Sequence, residues 1–236
     1  MAQGPPQGGP FPLQRWRRWQ ESTGRASKTY PMKPASAVAA APDHAIDRVI
    51  ATAHEIDRRE CGTALHSRVV ARYAELTARE LRLPEELVED VRLAGLLHDV
   101  GKSGVSDAVV SKPAALTEEE WVEMRYHPEI GAALLNDAGL EDVRQWILCH
   151  HERPDGTGYP RGLRGGEIPL GARILAVADA YEAMTNDRPY RRSIGRWRAR
   201  EELRRGAGTQ FDEVVVEAFL RAVERDWPGA DLPSSA

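Results

Sequence analysis

The stretch Pro84-Glu85-Glu86-Leu87-Val88-Glu89-Asp90-Val91-Arg92-Leu93-Ala94-Gly95-Leu96-Leu97-His98-Asp99 carries the fold in its spacing. Leu87, Val91, Ala94 and Leu97 recur at three- and four-residue intervals, the period of a helix with one apolar face. Pro84 suits a first turn, and Glu85 and Glu86 fall at the positive end of the helix dipole. Gly101 is the expected stop. The helix therefore presents an adjacent imidazole and carboxylate, His98 and Asp99, at its end.

The same period runs outward in both directions. Ile46, Val49, Ile50, Ala53 and Ile56 form one stripe; Leu65, Val69, Tyr73 and Leu76 form the next, ending near Pro84. Thr117 and Glu120 predict a capping box opening a helix through Trp121 and Met124. A further helix follows His127-Pro128 with Ile130, Leu134 and Leu135, and another carries Leu140, Val143, Ile147 and His151. Pro169 starts a long helix through Ile174, Val177, Tyr181 and Met184 that ends near Thr185. Asp212 begins the last, with Val215, Phe219 and Val223 inward. With no alternating strand pattern and no internal repeat, the expected fold is all-α, a compact multi-helix bundle with one conspicuous loop over 152–168.

The chain has 236 residues, 42% apolar and 29% charged, enough to bury a core, and a net charge of −4 that argues against a DNA partner. Residues 1–42 read as a flexible tail rich in Gly, Pro and Gln, residues 43–226 as the folded domain, and residues 227–236 as a C-terminal tail. The Trp16 and Trp19 segment of the first tail reads as a solvated arm rather than a membrane-surface helix, being too short to be stable alone. Cys61 and Cys149 form no CxxC motif, and Cys149 reads as a small buried helix residue. No window approaches the ~20 apolar residues of a membrane span, and the N-terminus lacks the apolar core of a secretory signal. The expected location is cytoplasmic.

Chemistry concentrates in a few motifs. Successive helical residues point about 100° apart, so His98 can serve one metal ion while Asp99 reaches across to a second. His150-His151 is expected to act the same way, each ring serving a different ion. Asp179 lies within Ala176-Val177-Ala178-Asp179-Ala180, where an unpaired carboxylate would be costly and a cation partner is required. His66 and His127 add two imidazoles. Any one of these histidines alone would more often be an ordinary core or surface residue. Five of the seven histidines fall in such positions, whereas His44 and His54 do not.

The ordered set His66, His98-Asp99 with Gly101-Lys102, His127-Pro128, His150-His151-Glu152, Asp155-Gly156-Thr157-Gly158-Tyr159-Pro160, Asp179 and Arg188-Pro189-Tyr190-Arg191 resembles an HD-GYP domain. These form a subgroup of the HD phosphohydrolases that degrade cyclic di-GMP, and the resemblance covers about residues 44–226. It implies His66, His98, Asp99, His127, His150, His151 and Asp179 as metal ligands, with Asp99 bridging. Some members hold a third metal partly through a Glu one turn before the first His. Here that position is Gly62, with Glu60 displaced by two residues, so two divalent metals are expected. Imidazole and carboxylate ligands without thiolate favour iron or manganese.

Two cations sharing a hydroxide would neutralise a phosphodiester during in-line attack. The expected reaction is hydrolysis of cyclic di-GMP to the linear dinucleotide, with GMP as a further product left open. Asp99 would orient the bridging hydroxide. Lys102 would meet a non-bridging phosphate oxygen, a reading favoured over a solvated helix-end charge because the chain has so few lysines. Tyr159, on a glycine-rich loop that permits close approach, is expected to contact substrate. The resemblance implies that Arg188 and Arg191 grip phosphate or guanine. Arg192, Arg196, Arg198 and Arg200 read as a solvated face. Alternatives are an HD phosphohydrolase acting on another cyclic dinucleotide or a nucleotide, and a silent cyclic di-GMP sensor or docking module. A homodimer and a separate sensor partner stay open.

Overall fold

The computed structural model describes residues 43–61, 65–136, 138–187 and 192–226, and of residues 43–45 and 61 only the backbone. The two expected tails, Gly62, Arg188 and Arg191 lie outside the described residues.

Among the described residues the chain is helical, with no strand and only two isolated bridges, Asp155 with Arg164 and Ala207 with Phe211. The helices are α1 (Asp43–Cys61), α2 (His66–Glu80), α3 (Glu85–Leu97), α4 (Asp107–Val110), α5 (Glu118–Met124), α6 (His127–Leu134), α7 (Glu141–Cys149), α8 (Leu170–Thr185), α9 (Arg196–Gly206) and α10 (Glu213–Asp226). Two 3₁₀ turns, Val100–Gly104 and Gly165–Glu167, lie between them. Thr117 and Glu120 form the expected capping box at the start of α5.

Helix α8 is the hub, packing on α2, α3, α7, α9 and α10. A helix surrounded on so many sides must be apolar over most of its circumference; Ala172, Ile174, Leu175, Val177, Ala178 and Tyr181 are all buried. Tyr181 meets Tyr73 of α2 and Phe219 of α10 edge-on, with ring centroids 5.3 and 4.8 Å away. Such aromatic pairs contribute about 0.5–1.5 kcal/mol each beyond area burial. This cluster ties α2, α8 and α10 together beneath His66 and Asp179.

Four expectations change. Gly101 does not stop α3, which ends at Leu97; it sits inside the 3₁₀ turn. A Cβ there would fall 1.9 Å from the His127 carbonyl oxygen and 2.4 Å from the Gly131 nitrogen. The glycine is needed for that close approach, which docks the His98-Asp99 turn on the start of α6. Leu65, placed in the α2 stripe, is 55% exposed because it precedes the helix, whose first residue is His66. Leu134 is exposed where Leu135 is buried. Arg200 is buried rather than part of a solvated face, since α9 turns it inward beside Ala199 and Leu203.

Candidate metal centre

The ends of four helices and the middle of a fifth converge on one point. His66 opens α2, His98 and Asp99 follow α3, His127 opens α6, His150 and His151 follow α7, and Asp179 lies within α8. One group is His66, His98 and Asp179; a second is His127, His150 and His151; within each, one ligand atom per residue lies within 4.8 Å of the others. Asp99 stands between them. Its Oδ2 is 3.2 Å from His98 Nε2 and 3.5 Å from His66 Nε2, whereas its Oδ1 is 3.4 Å from His127 Nε2. Asp179 Oδ1 is 3.6 Å from His66 Nε2. Atoms each about 2.1 Å from one ion and roughly at right angles are about 3 Å apart, so these spacings suit shared coordination.

The tautomers are set by the helices themselves. His98 Nδ1 donates to the Gly95 carbonyl at 2.8 Å, His127 Nδ1 to Met124 at 2.8 Å and His150 Nδ1 to Ile147 at 2.6 Å. Each bond reaches back three residues to a carbonyl near a helix or turn end. His66 Nδ1 meets Glu182 Oε2 at 2.6 Å. These bonds direct each Nε2 inward, where it presents a lone pair whenever the ring is neutral and Nδ1 carries the proton.

Those lone pairs demand a cation. His127 Nε2 and His150 Nε2 are buried without a hydrogen-bond partner, a costly condition for polar nitrogen. His66 Nε2 and His98 Nε2 face each other at 3.3 Å, which only a proton or metal between them relieves. The donor set therefore fits divalent ions.

The electrostatics agree. Burial, with the neighbouring His150 and Lys102, pushes His127 down to about 3 despite Asp99; burial and His98 push His150 down to about 4. Both rings stay neutral and ligand-competent. Burial also lowers His66, but hydrogen bonds to Asp99 and Glu182 outweigh it and hold this ring well above its usual value. Asp99 is held well below the usual carboxylate range because the charges of His98 and Lys102 outweigh burial.

His150 and His151 do not split between the two groups as expected. The chain turns after Cys149, leaving the rings side by side with centroids 3.9 Å apart, and both join His127. Lys102, expected to meet a phosphate oxygen rather than to be a solvated helix-end charge, is turned onto two carboxylates. It is buried, with Nζ 2.9 Å from Asp99 Oδ2 and 2.6 Å from Glu60 Oε2. Glu60 thus reaches the edge of the site through Lys102. Cys149 is buried, which pushes its thiol up to about 11.

Sequence reasoning missed three acidic anchors. Glu182 orients His66 and also accepts from Asn186 Nδ2 at 3.0 Å; its place one turn after Asp179 could have revealed it. Glu152 accepts from the backbone of Arg161 at 2.6 Å and of Leu163 at 3.0 Å, drawing the glycine-rich loop over the site. Glu60 had no such signal, lying far from Lys102 in sequence. Gly158 lets the loop close: a Cβ there would lie 2.4 Å from Arg153 N and 2.6 Å from Glu152 Cα. Tyr159 is thereby stacked on His151, with centroids 4.8 Å apart.

A helical bundle that gathers five histidines and a second aspartate around one shared carboxylate is the architecture of a metal-binding HD-type domain. The HD domain family model matches residues 48–215. The chain belongs to the HD-domain family, and the Gly-Tyr-Pro loop and ordered motifs mark it as a member of the HD-GYP subgroup. It is 45% identical over 165 residues to a cyclic di-GMP phosphodiesterase of Pseudomonas aeruginosa, covering 68% of this chain and 39% of that one. It is 41% identical over 172 residues to the cyclic di-GMP phosphodiesterase response regulator RpfG of Xanthomonas campestris, covering 72% and 46%. A 3'3'-cGAMP-specific phosphodiesterase of Vibrio cholerae is 34% identical over 171 residues, covering 71% and 33%. The chain spans less than half the length of these relatives. A solved cyclic GMP-AMP phosphodiesterase structure from V. cholerae shares the fold at a TM-score of 0.56 and 19% identity, covering 76% of this chain and 48% of that one. No described helix is long and apolar enough to cross a membrane.

Proposed function

We propose that residues 43–226 form a metal-dependent phosphodiesterase domain that hydrolyses cyclic di-GMP to the linear dinucleotide in the cytoplasm. The observation that carries this reading is Asp99, whose two oxygens face two separate sets of buried imidazole Nε2 atoms. His66, His98 and Asp179 would hold one divalent ion, His127, His150 and His151 the other, with Asp99 shared; iron or manganese suits these donors. Such ions supply charge neutralisation at the phosphodiester oxygens and an acidified water.

The chain's own groups do the rest. Lys102, kept charged by Asp99 and Glu60 despite burial, fixes the Asp99 carboxylate. The Tyr159 hydroxyl, raised above its usual value chiefly by burial, stays protonated and can donate to a phosphate oxygen. The loop drawn in by Glu152 holds the Tyr159 ring against His151. Arg188 and Arg191 would contact phosphate or guanine.

The test is anaerobic purification, metal counting, and a timed cyclic di-GMP assay that resolves linear dinucleotide from GMP. Two ions per chain and appearance of the linear product are expected. Tight binding without turnover in metal-replete protein would establish a sensor instead. Because relatives at 34% identity and above include cGAMP-specific enzymes, 3'3'-cGAMP is the comparison substrate; faster turnover of it would reassign the base specificity.

A further inference from the structure

Arg125 is an exposed cation beside the site that no carboxylate claims. It caps the C-terminus of α5, two residues before His127. Its guanidinium carbon lies 5.5 Å from the centroid of the Tyr159 ring, the same ring that stacks on His151. Among the described residues its side chain has no ion pair and no hydrogen bond, unlike Arg79, Arg92, Arg144 and Arg153, each paired with a nearby carboxylate. Lys102, a described cation at the centre itself, is buried and committed to Asp99 and Glu60.

The inference rests on the cyclic dinucleotide reading above. Such a substrate is a ring closed by two phosphodiesters. Only one can lie at Asp99; the other remains anionic and must sit outside the centre. The geometry points to Arg125 as the residue that binds the phosphodiester not being cut, with the Tyr159 ring steadying its guanidinium beside the site. A planar fork of donors suits two phosphate oxygens better than a point charge does. A cation resting on an aromatic face keeps its N–H edge available for such a ligand.

The test compares manganese-loaded full chain with Arg125→Ala and Arg125→Lys on two substrates, cyclic di-GMP and bis(p-nitrophenyl) phosphate, which has a single phosphodiester. The expected result for Arg125→Ala is a fall of about tenfold in the ratio of kcat/KM between the two, carried by KM for the dinucleotide. Arg125→Lys, which keeps the charge but not the fork, should restore only part of the ratio lost in Arg125→Ala, and added salt should raise the dinucleotide KM more steeply in wild type than in Arg125→Ala. An unchanged ratio, or equal losses on both substrates, overturns the assignment. Wild-type protein that cleaves the simple ester but no cyclic dinucleotide overturns the substrate reading and this inference with it. Wild-type dinucleotide turnover with an unchanged ratio in Arg125→Ala overturns this inference alone.

Discussion

Replacing Glu182 with Gln isolates the carboxylate behind His66. Glu182 is buried and uses its two oxygens separately, Oε2 for His66 Nδ1 at 2.6 Å and Oε1 for Asn186 Nδ2 at 3.0 Å. A glutamine of the same shape has one acceptor oxygen, so its amide N–H₂ must face one of those two donors. The charge is also lost. Hydrogen bonds to charged groups contribute about 1.5–3 kcal/mol and neutral ones about 0.5–1.5, a difference of about 1–1.5 kcal/mol, or about tenfold in metal affinity. Carboxylates behind metal-bound histidines generally cost about 10- to 100-fold when mutated, so tenfold is a lower bound. The assay is calorimetric titration of chelator-treated protein with Mn²⁺, alongside a thermal melt to confirm folding. A folded Glu182→Gln protein that binds Mn²⁺ as tightly as wild type would refute the argument that Glu182 sets the His66 tautomer for coordination.

Asp99→Asn keeps the side-chain volume but removes the shared charge; turnover of cyclic di-GMP should vanish while the far-ultraviolet spectrum stays helical, and substantial residual activity would remove Asp99 from the centre. Gly101→Ala forces a methyl against the His127 carbonyl at 1.9 Å; backbone must move, at about 2–3 kcal/mol, lowering Tm by about 5–10 °C, and an unchanged melt would show that the turn has slack. For metal-free protein, His127 and His150 are held neutral, at about 3 and about 4 against a usual 6.5. The unfolded chain therefore binds more protons between about pH 4 and 6.5, and stability must fall as pH falls through that window. His150 alone contributes about 3 kcal/mol of that loss by pH 4. A Tm independent of pH there would contradict the buried neutral rings.

Much of the bundle was legible because burial imposes a period. Stripes such as Val91, Ala94 and Leu97 leave a signal in any helix with one covered face. Helix α9 left almost none: in Arg196–Gly206 only Ala199, Arg200 and Leu203 are buried, and arginines dominate the rest. The short α4 spans one turn, too little for a period to register. The stop assigned to Gly101 failed for a related reason. A glycine needed for a close tertiary approach looks, in sequence, like one needed for a helix end.

The candidate site divides the same way. Its histidines and aspartates could be read from the chain because their residue types and order are chemically unusual there. That Asp99 faces both groups while His150 and His151 share one was decided by the turns at the ends of α3 and α7. Those turns are three-dimensional facts, since one residue of difference in where a helix ends rotates a side chain by about 100°. Partners distant along the chain were likewise invisible: Glu60 for Lys102, Glu182 for His66, Tyr159 for Arg125. By itself the sequence determined the helical class, the family and the donor inventory, all properties of local spacing and composition. Only the tertiary structure decided which donors share a cation, which proton each imidazole carries and which charges are already matched. Those depend on distances between helices, which no local pattern encodes.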